Sequence, residues 1–196
     1  MKRSQLNNPE KDPKDQLNFT SLVLRTVFLD GSIYKSIKDY PNSLLFALIL
    51  VCVVSVAYAV GLNKEPLNIF SGAPDIPEFI FYLFRINAII WSWIIWSVIA
   101  SISTKWAFKG QGSIIDMLRA IGIAYAPGIL FFGVPIDAPA ISGTLGEGLL
   151  LFAKLWVFVT AAQAVKETAG FKGIYGYIPG LLTGLIAWFL LFSFMS

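Results

Sequence analysis

The sequence predicts an all-α membrane protein, a bundle of five transmembrane helices preceded by a cytoplasmic interfacial helix. Three observations carry that expectation. First, residues 44–62, 86–103 and 173–196 contain no Lys, Arg, Asp or Glu, and 120–136 and 148–165 hold one charge between them, Lys154. An α-helix of 18 residues rises about 27 Å, close to the hydrocarbon thickness of a bilayer. Second, the 196 residues are 56% hydrophobic and 14% charged, with a mean hydropathy of +0.69, well to the membrane side of soluble domains. Third, the apolar runs are apolar all round, without the polar stripe of a soluble amphipathic helix.

The charged residues sort by side. Spans are expected near 44–62, 80–104, 114–136, 148–166 and 173–195. Segment 1–43 carries seven Lys or Arg, the 105–113 connection carries Lys105 and Lys109 with Arg119 just inside the next helix, and 166–172 carries Lys166 and Lys172. Of Lys and Arg, the alternate connections hold Lys64 alone. The positive-inside rule then orients the chain with its N-terminus in the cytoplasm and its C-terminus outside.

Residues 1–16 are polar, contain two prolines and lack an apolar period, so a disordered tail is expected. The net charge is +3, and twelve of the 27 charges lie in 1–43 with both signs mixed. That pattern suits a solvated segment near anionic lipid and excludes a phosphate-tracking nucleic-acid stripe. Across 17–43, Phe19, Leu22, Val23, Val27, Ile33, Ile37 and Tyr40 recur near helical spacing. This predicts an amphipathic segment lying in the cytoplasmic interface, broken at Asp30-Gly31-Ser32, with Ser32 capping a second short helix. The first apolar run begins at Leu44, so no cleavable secretory signal of ordinary form is expected ahead of it.

Within span two, Trp91, Trp93 and Trp96 fall away from the helix ends, where Trp normally anchors a membrane helix, and are expected to pack inside the bundle. Arg85 and Lys154 lie within spans two and four. Each follows an acid by seven residues, Glu78 and Glu147 respectively. A basic side chain at a helix centre costs about 2.5–3.5 kcal/mol on insertion scales. Two readings follow. The four residues line an outer polar pocket for an anionic head group or carboxylate, or the two cations snorkel separately to the interface.

Span three begins with a capping pattern: Ser113 as N-cap, Asp116 three residues on, and Arg119 spaced for an ion pair with Asp116. Pro127 should kink this span by removing a backbone donor. Pro179 is expected to do the same in span five. Gly176, Gly180 and Gly184 recur every four residues and should form a face for close helix packing.

The chain has no His and one Cys, Cys52, inside span one. No metal site, disulfide, Walker loop or histidine-dependent catalytic arrangement is available, so neither cofactor nor enzymatic activity is expected.

The strings FKGQGSIIDMLRAIGIAYAPGIL and LRTVFLDGSIYKSIKDYPNSLLFALIL resemble prokaryotic members of the YIP (Ypt-interacting protein) membrane-domain family. The first is similar to a Gly-rich turn, a short basic helix and a G-x-A-x-x-P core. The second is similar to the segment by which those proteins enter their first span. The resemblance covers about residues 20–195 and implies a five-span, non-catalytic scaffold in membrane organisation or trafficking. The Asp-Leu-Tyr-Gly-Pro signature of eukaryotic members is absent, so within this resemblance the expectation is a bacterial cytoplasmic membrane and not a Rab-type partner. Expected partners are membrane lipids and a protein or a second copy of the chain. Two other functions stay open: a small transporter or channel for an anionic or amphiphilic solute using Arg85 and Lys154, and an accessory subunit of a larger membrane complex.

Overall fold

A computed structural model describes residues 19–61, 77–133 and 144–195. The expected tail 1–16 and most of the two outer connections lie outside the described residues, as do the side chains of Glu78 and Glu147. All regular structure among the described residues is helical: α1 (Phe19–Val27), α2 (Ser32–Ile37), α3 (Ser43–Gly61), α4 (Glu78–Trp106), α5 (Ile114–Ala124), a 3₁₀ helix (Ala126–Gly133), α6 (Thr144–Ala169), a 3₁₀ turn (Ile174–Tyr177) and α7 (Ile178–Met195). Three stretches are long and apolar enough to cross a membrane, Ser43–Val60, Phe79–Trp106 and Ile114–Phe131, and Ile174–Phe189 is a shorter apolar helix.

The α5 segment is the axis of the bundle. It packs against α3, α4 and α6, and α1 and α2 also touch it. In Ile114–Phe131, 61% of positions are buried, against 28% in an apolar 18-residue window of Phe79–Trp106. Its neighbours come close at a glycine, Gly122, where a side chain would stand in the way. A Cβ on Gly122 would lie 2.7 Å from the Cβ of Ala47 on α3 and 3.0 Å from Nε1 of Trp93 on α4. Around this axis α3 packs on α4, α4 on α7, and α7 on α6. Large apolar side chains face outward from these helices, among them Leu45, Leu83, Leu155 and Leu185, the surface expected of lipid-facing helices.

Pro127 does more than kink span three. With no N–H, it leaves the Ile123 carbonyl without its α-helical donor. The Gly128 N–H donates to Tyr125 O at 2.8 Å instead of reaching Ala124. The α-helix therefore ends and a 3₁₀ helix continues. The vacated Ala124 carbonyl accepts the Thr160 hydroxyl of α6 at 2.7 Å. An unpaired carbonyl in apolar surroundings is costly, and Thr160 removes that cost.

Pro179 is not a kink. It is the second residue of α7, in the first turn, where a missing N–H breaks no helical bond. The tryptophans also divide. Trp93 and Trp96 are 5% exposed, whereas Trp91 is 56% exposed and points away from the bundle. Two residues' separation on a helix places side chains on different faces.

The N-terminal segment folds as a hairpin, α1 and α2, seated on the bundle through Leu22, Thr26, Ile33, Tyr34 and Ile37. Ser32 does not cap α2. Its N–H and hydroxyl both donate to Asp30 Oδ1, at 3.0 and 2.7 Å, and Arg25 Nε donates to Asp30 Oδ2 at 2.8 Å. The carboxylate outcompetes the hydroxyl as acceptor. Those bonds, with Ser32 first and Arg25 next, hold the Asp30 carboxyl below its ordinary value of 3.8.

Candidate functional site

Five segments leave a cavity of about 230 Å³ between them. Each contributes one stripe at helical spacing: Val54 and Tyr58 from α3; Ile89, Ser92 and Trp96 from α4; Lys154, Val157 and Phe158 from α6; Gly184, Ala187 and Trp188 from α7. Tyr125 and Phe131 close the remaining side from the broken span. The loss of α-helical geometry at Pro127 is thus part of what shapes the wall.

The wall is held by aromatic contacts and few polar ones. Tyr58 and Phe131 meet edge to face with centroids 5.4 Å apart. Trp96 and Phe158 lie 5.6 Å apart, and Gly184 makes room for both, since a Cβ there would stand 2.5 Å from Phe158 and 2.6 Å from Trp96. Trp96 Nε1 donates to Thr183 Oγ1 at 3.3 Å, tying α4 to α7. The Tyr125 hydroxyl donates to Ser92 Oγ at 3.4 Å, the polar pair inside the cavity.

Lys154 supplies the charge. It lies ten residues into α6, about 15 Å along its axis, and its Nζ stands 5.6 Å from the Tyr58 ring centroid. The side chain is exposed, and no ion pair among the described residues includes it. Arg85 is placed differently. It is buried, with 6% exposed, and precedes Ile89, Ser92 and Trp96 by four, seven and eleven residues. It therefore shares their face of α4, one turn beyond the residues that line the cavity. The Glu78 and Glu147 side chains of the expected pocket lie outside the described residues.

The glycine row turns inward. A Cβ on Gly180 would fall 2.6 Å from Ala162 Cα and 2.7 Å from its carbonyl oxygen, so α6 and α7 touch backbone to backbone there. Gly176 precedes α7, in the 3₁₀ turn, against Phe171 and Lys166.

The opposite end of the bundle is closed by polar contacts. Ser113 and Asp116 form the reciprocal capping box that begins α5. The Asp116–Arg119 ion pair expected from spacing does not form. Asp116 faces Ser113 and Lys38, with Lys38 Nζ 3.8 Å away, because the cap aims its carboxylate back over the helix start. Arg119 Nη1 instead donates to the Lys38 carbonyl at 3.1 Å, a cation at the C-terminus of α2. Glu167 lies 3.3 Å from both Lys35 and Lys166.

The hairpin is fastened to α6 by side chains that no motif in the sequence marks. Trp156 Nε1 donates to Val27 O at 3.0 Å, and Gln163 Nε2 donates to Leu29 O at 2.8 Å. Leu29 takes a φ of 59°, uncommon for a bulky side chain, and Gln163 holds its carbonyl in that conformation. The only sequence signal for Thr160, Gln163, Ser92 and Tyr125 is a polar group within an apolar run. Among the described residues, no three His, Cys, Asp or Glu side chains come together as a metal site. The chain matches no protein-family profile, no curated protein and no solved structure.

Proposed function

We propose that the chain is a five-span integral membrane protein with a cytoplasmic N-terminus, working as a non-catalytic scaffold of the YIP type. Helices α6, with 26 residues, and α7, with 18, have the length to complete five crossings. The basic residues of α2, of the α4–α5 connection and of the α6–α7 connection gather at one end, where Gln111 N–H donates to Ala169 O at 3.0 Å and Lys35 pairs with Glu167. That gathering supports a cytoplasmic face there.

The observation that carries the scaffold reading is the hairpin. One face is buried and bolted to α6, while Leu24 and Phe28 are 51% and 79% exposed on the other. A rigidly held apolar stripe beside the basic face suits engagement of a partner or of lipid. Deleting 17–40 would remove core residues as well as this stripe, so the informative change is on the exposed face. A photocrosslinking residue at Phe28 should capture a discrete protein or lipid in cells, and Leu24→Ser with Phe28→Ser should abolish capture by a crosslinker at Thr20 without loss of folded protein. A purified monomer that captures nothing above solvent would sink the scaffold reading. Orientation is tested separately in a Cys52→Ala background. Lys109→Cys should react with an impermeant thiol reagent only after the membrane is opened.

The cavity at Lys154 favours a second reading, movement of an anionic or amphiphilic solute. Flux through proteoliposomes that falls in Lys154→Met would favour it over the scaffold.

A further inference from the structure

We propose that the cavity bounded by α3, α4, α6, α7 and the broken span binds a single-chain anionic amphiphile that enters from the bilayer. Its acidic headgroup would sit at Lys154 and its chain among Trp96, Phe131, Val157 and Phe158. The inference rests on the membrane-spanning reading above.

Four observations converge on it. The space of about 230 Å³ exceeds by more than tenfold the roughly 10–15 Å³ that one water needs, and its wall is mostly apolar and aromatic, which suits a hydrocarbon chain. It is smaller than the pockets of about 300–1,000 Å³ that hold drug-sized ligands, so one narrow chain fits better than a two-chain lipid. The void is also not slack packing, since the same helices meet backbone to backbone at Gly180 and Ala162.

The rim decides where the ligand comes from. Trp188 lines the cavity and is 63% exposed. Its neighbours on α7, Leu185, Ile186 and Phe189, are exposed apolar side chains. The mouth thus opens on the apolar surface of the bundle, and what enters must be soluble in lipid. The charge decides the headgroup. Lys154 is the cationic residue of the lining, no ion pair among the described residues includes it, and its Nζ is near the π-face of Tyr58. An ammonium in apolar surroundings is stabilised by a bound anion. A carboxylate or a phosphate monoester meets that requirement equally, so the source is left to experiment.

The test uses the full chain in nanodiscs of zwitterionic lipid, with terminally brominated dodecanoate, dodecyl phosphate and dodecanol as probes. Bromine quenches the fluorescence of the lining residues Trp96 and Trp188. Saturable quenching by dodecanoate or dodecyl phosphate is expected, and the tighter of the two identifies the headgroup. Lys154→Met should weaken the anionic probes about ten- to hundredfold, the loss of one charge-assisted hydrogen bond. Lys154→Arg should stay within about threefold of the parent. Dodecanol should bind parent and Lys154→Met alike. Linear, non-saturating quenching, or equal affinities of parent and Lys154→Met for the anions, would overturn the proposal. If the charge variants lose folded protein, competition on the parent keeps the test open: unlabelled dodecanoate should reverse the quenching at about ten- to hundredfold lower concentration than dodecanol, and equal potency would overturn the proposal. A chain that does not float with liposomes at all would instead overturn the membrane reading beneath the proposal.

Discussion

The two halves of α6 are built from similar residues and do opposite things. From Thr160 to Val165 six consecutive residues are buried, whereas Leu151, Phe152, Lys154, Leu155 and Val159 are exposed. The buried half is polar where it must be. Thr160 serves the carbonyl vacated at the Pro127 break, Gln163 serves Leu29, and Glu167 lies between two lysines. In the exposed half one cation stands beside a void. The closed half is surrounded by α5, α7 and the hairpin and has nowhere to admit a ligand. The open half meets the hairpin at Trp156, which donates to Val27 O, and turns Lys154, Val157 and Phe158 to the cavity. Irregular backbone inside an apolar bundle thus demands polar partners, and where those end, space for a guest begins.

The largest effect that would break this contrast is at Gly180. Gly180→Ala places a methyl against the Ala162 backbone, which cannot rotate aside, and should cost about 3 kcal/mol, the upper part of the overpacking range. Thermal unfolding of detergent-purified protein, followed by tryptophan fluorescence, measures it. Next is Thr160→Val, which keeps the side chain's shape but leaves the Ala124 carbonyl unserved. A loss of about 1–3 kcal/mol is expected, the cost of one buried unsatisfied acceptor. If Thr160→Val were neutral in the same unfolding assay, the closed half would owe nothing to that bond.

Lys154→Met sharpens the comparison from the other side. It should not lower stability, because it removes a charge from apolar surroundings, while anion binding falls. The smallest effect is electrostatic and local. Because the folded Asp30 carboxyl titrates below its ordinary value of 3.8, its contribution is complete above that value and is lost as pH falls through the folded one. Hydrogen exchange at the Ser32 amide, once the intrinsic rate is removed, should therefore be slow at neutral pH and accelerate only as pH falls below about 3.8. In Asp30→Asn the exchange should be fast across the whole range.

Much of the secondary structure was legible because it depends on local spacing. The charge-free runs overlap α3, α4 and α7, since a helix that meets lipid tolerates no charge on its outer face. The Ser113–Asp116 cap needs only a separation of three residues. Arg119 misled for a related reason: spacing allows a pair with Asp116, but the cap had already turned that carboxylate away. Lys154 stood out as a lone charge in an apolar run, while the stripes from four other segments that complete its cavity carry no mark of their own.

Read without the fold, the residues already say that these helices are apolar, where α3, α4 and α5 start to within two positions, and which side chains are chemically out of place among them. Hydropathy and capping act over one or two turns, within reach of a linear reading. That the glycine face meets α6, that the N-terminal segment is a hairpin held by α6 side chains, and that Pro127 ends a helix whose open carbonyl Thr160 serves are settled by the packing of the helices. Each of these joins residues between 18 and 134 positions apart in the chain, and such contacts arise from packing of whole helices, which no local pattern encodes.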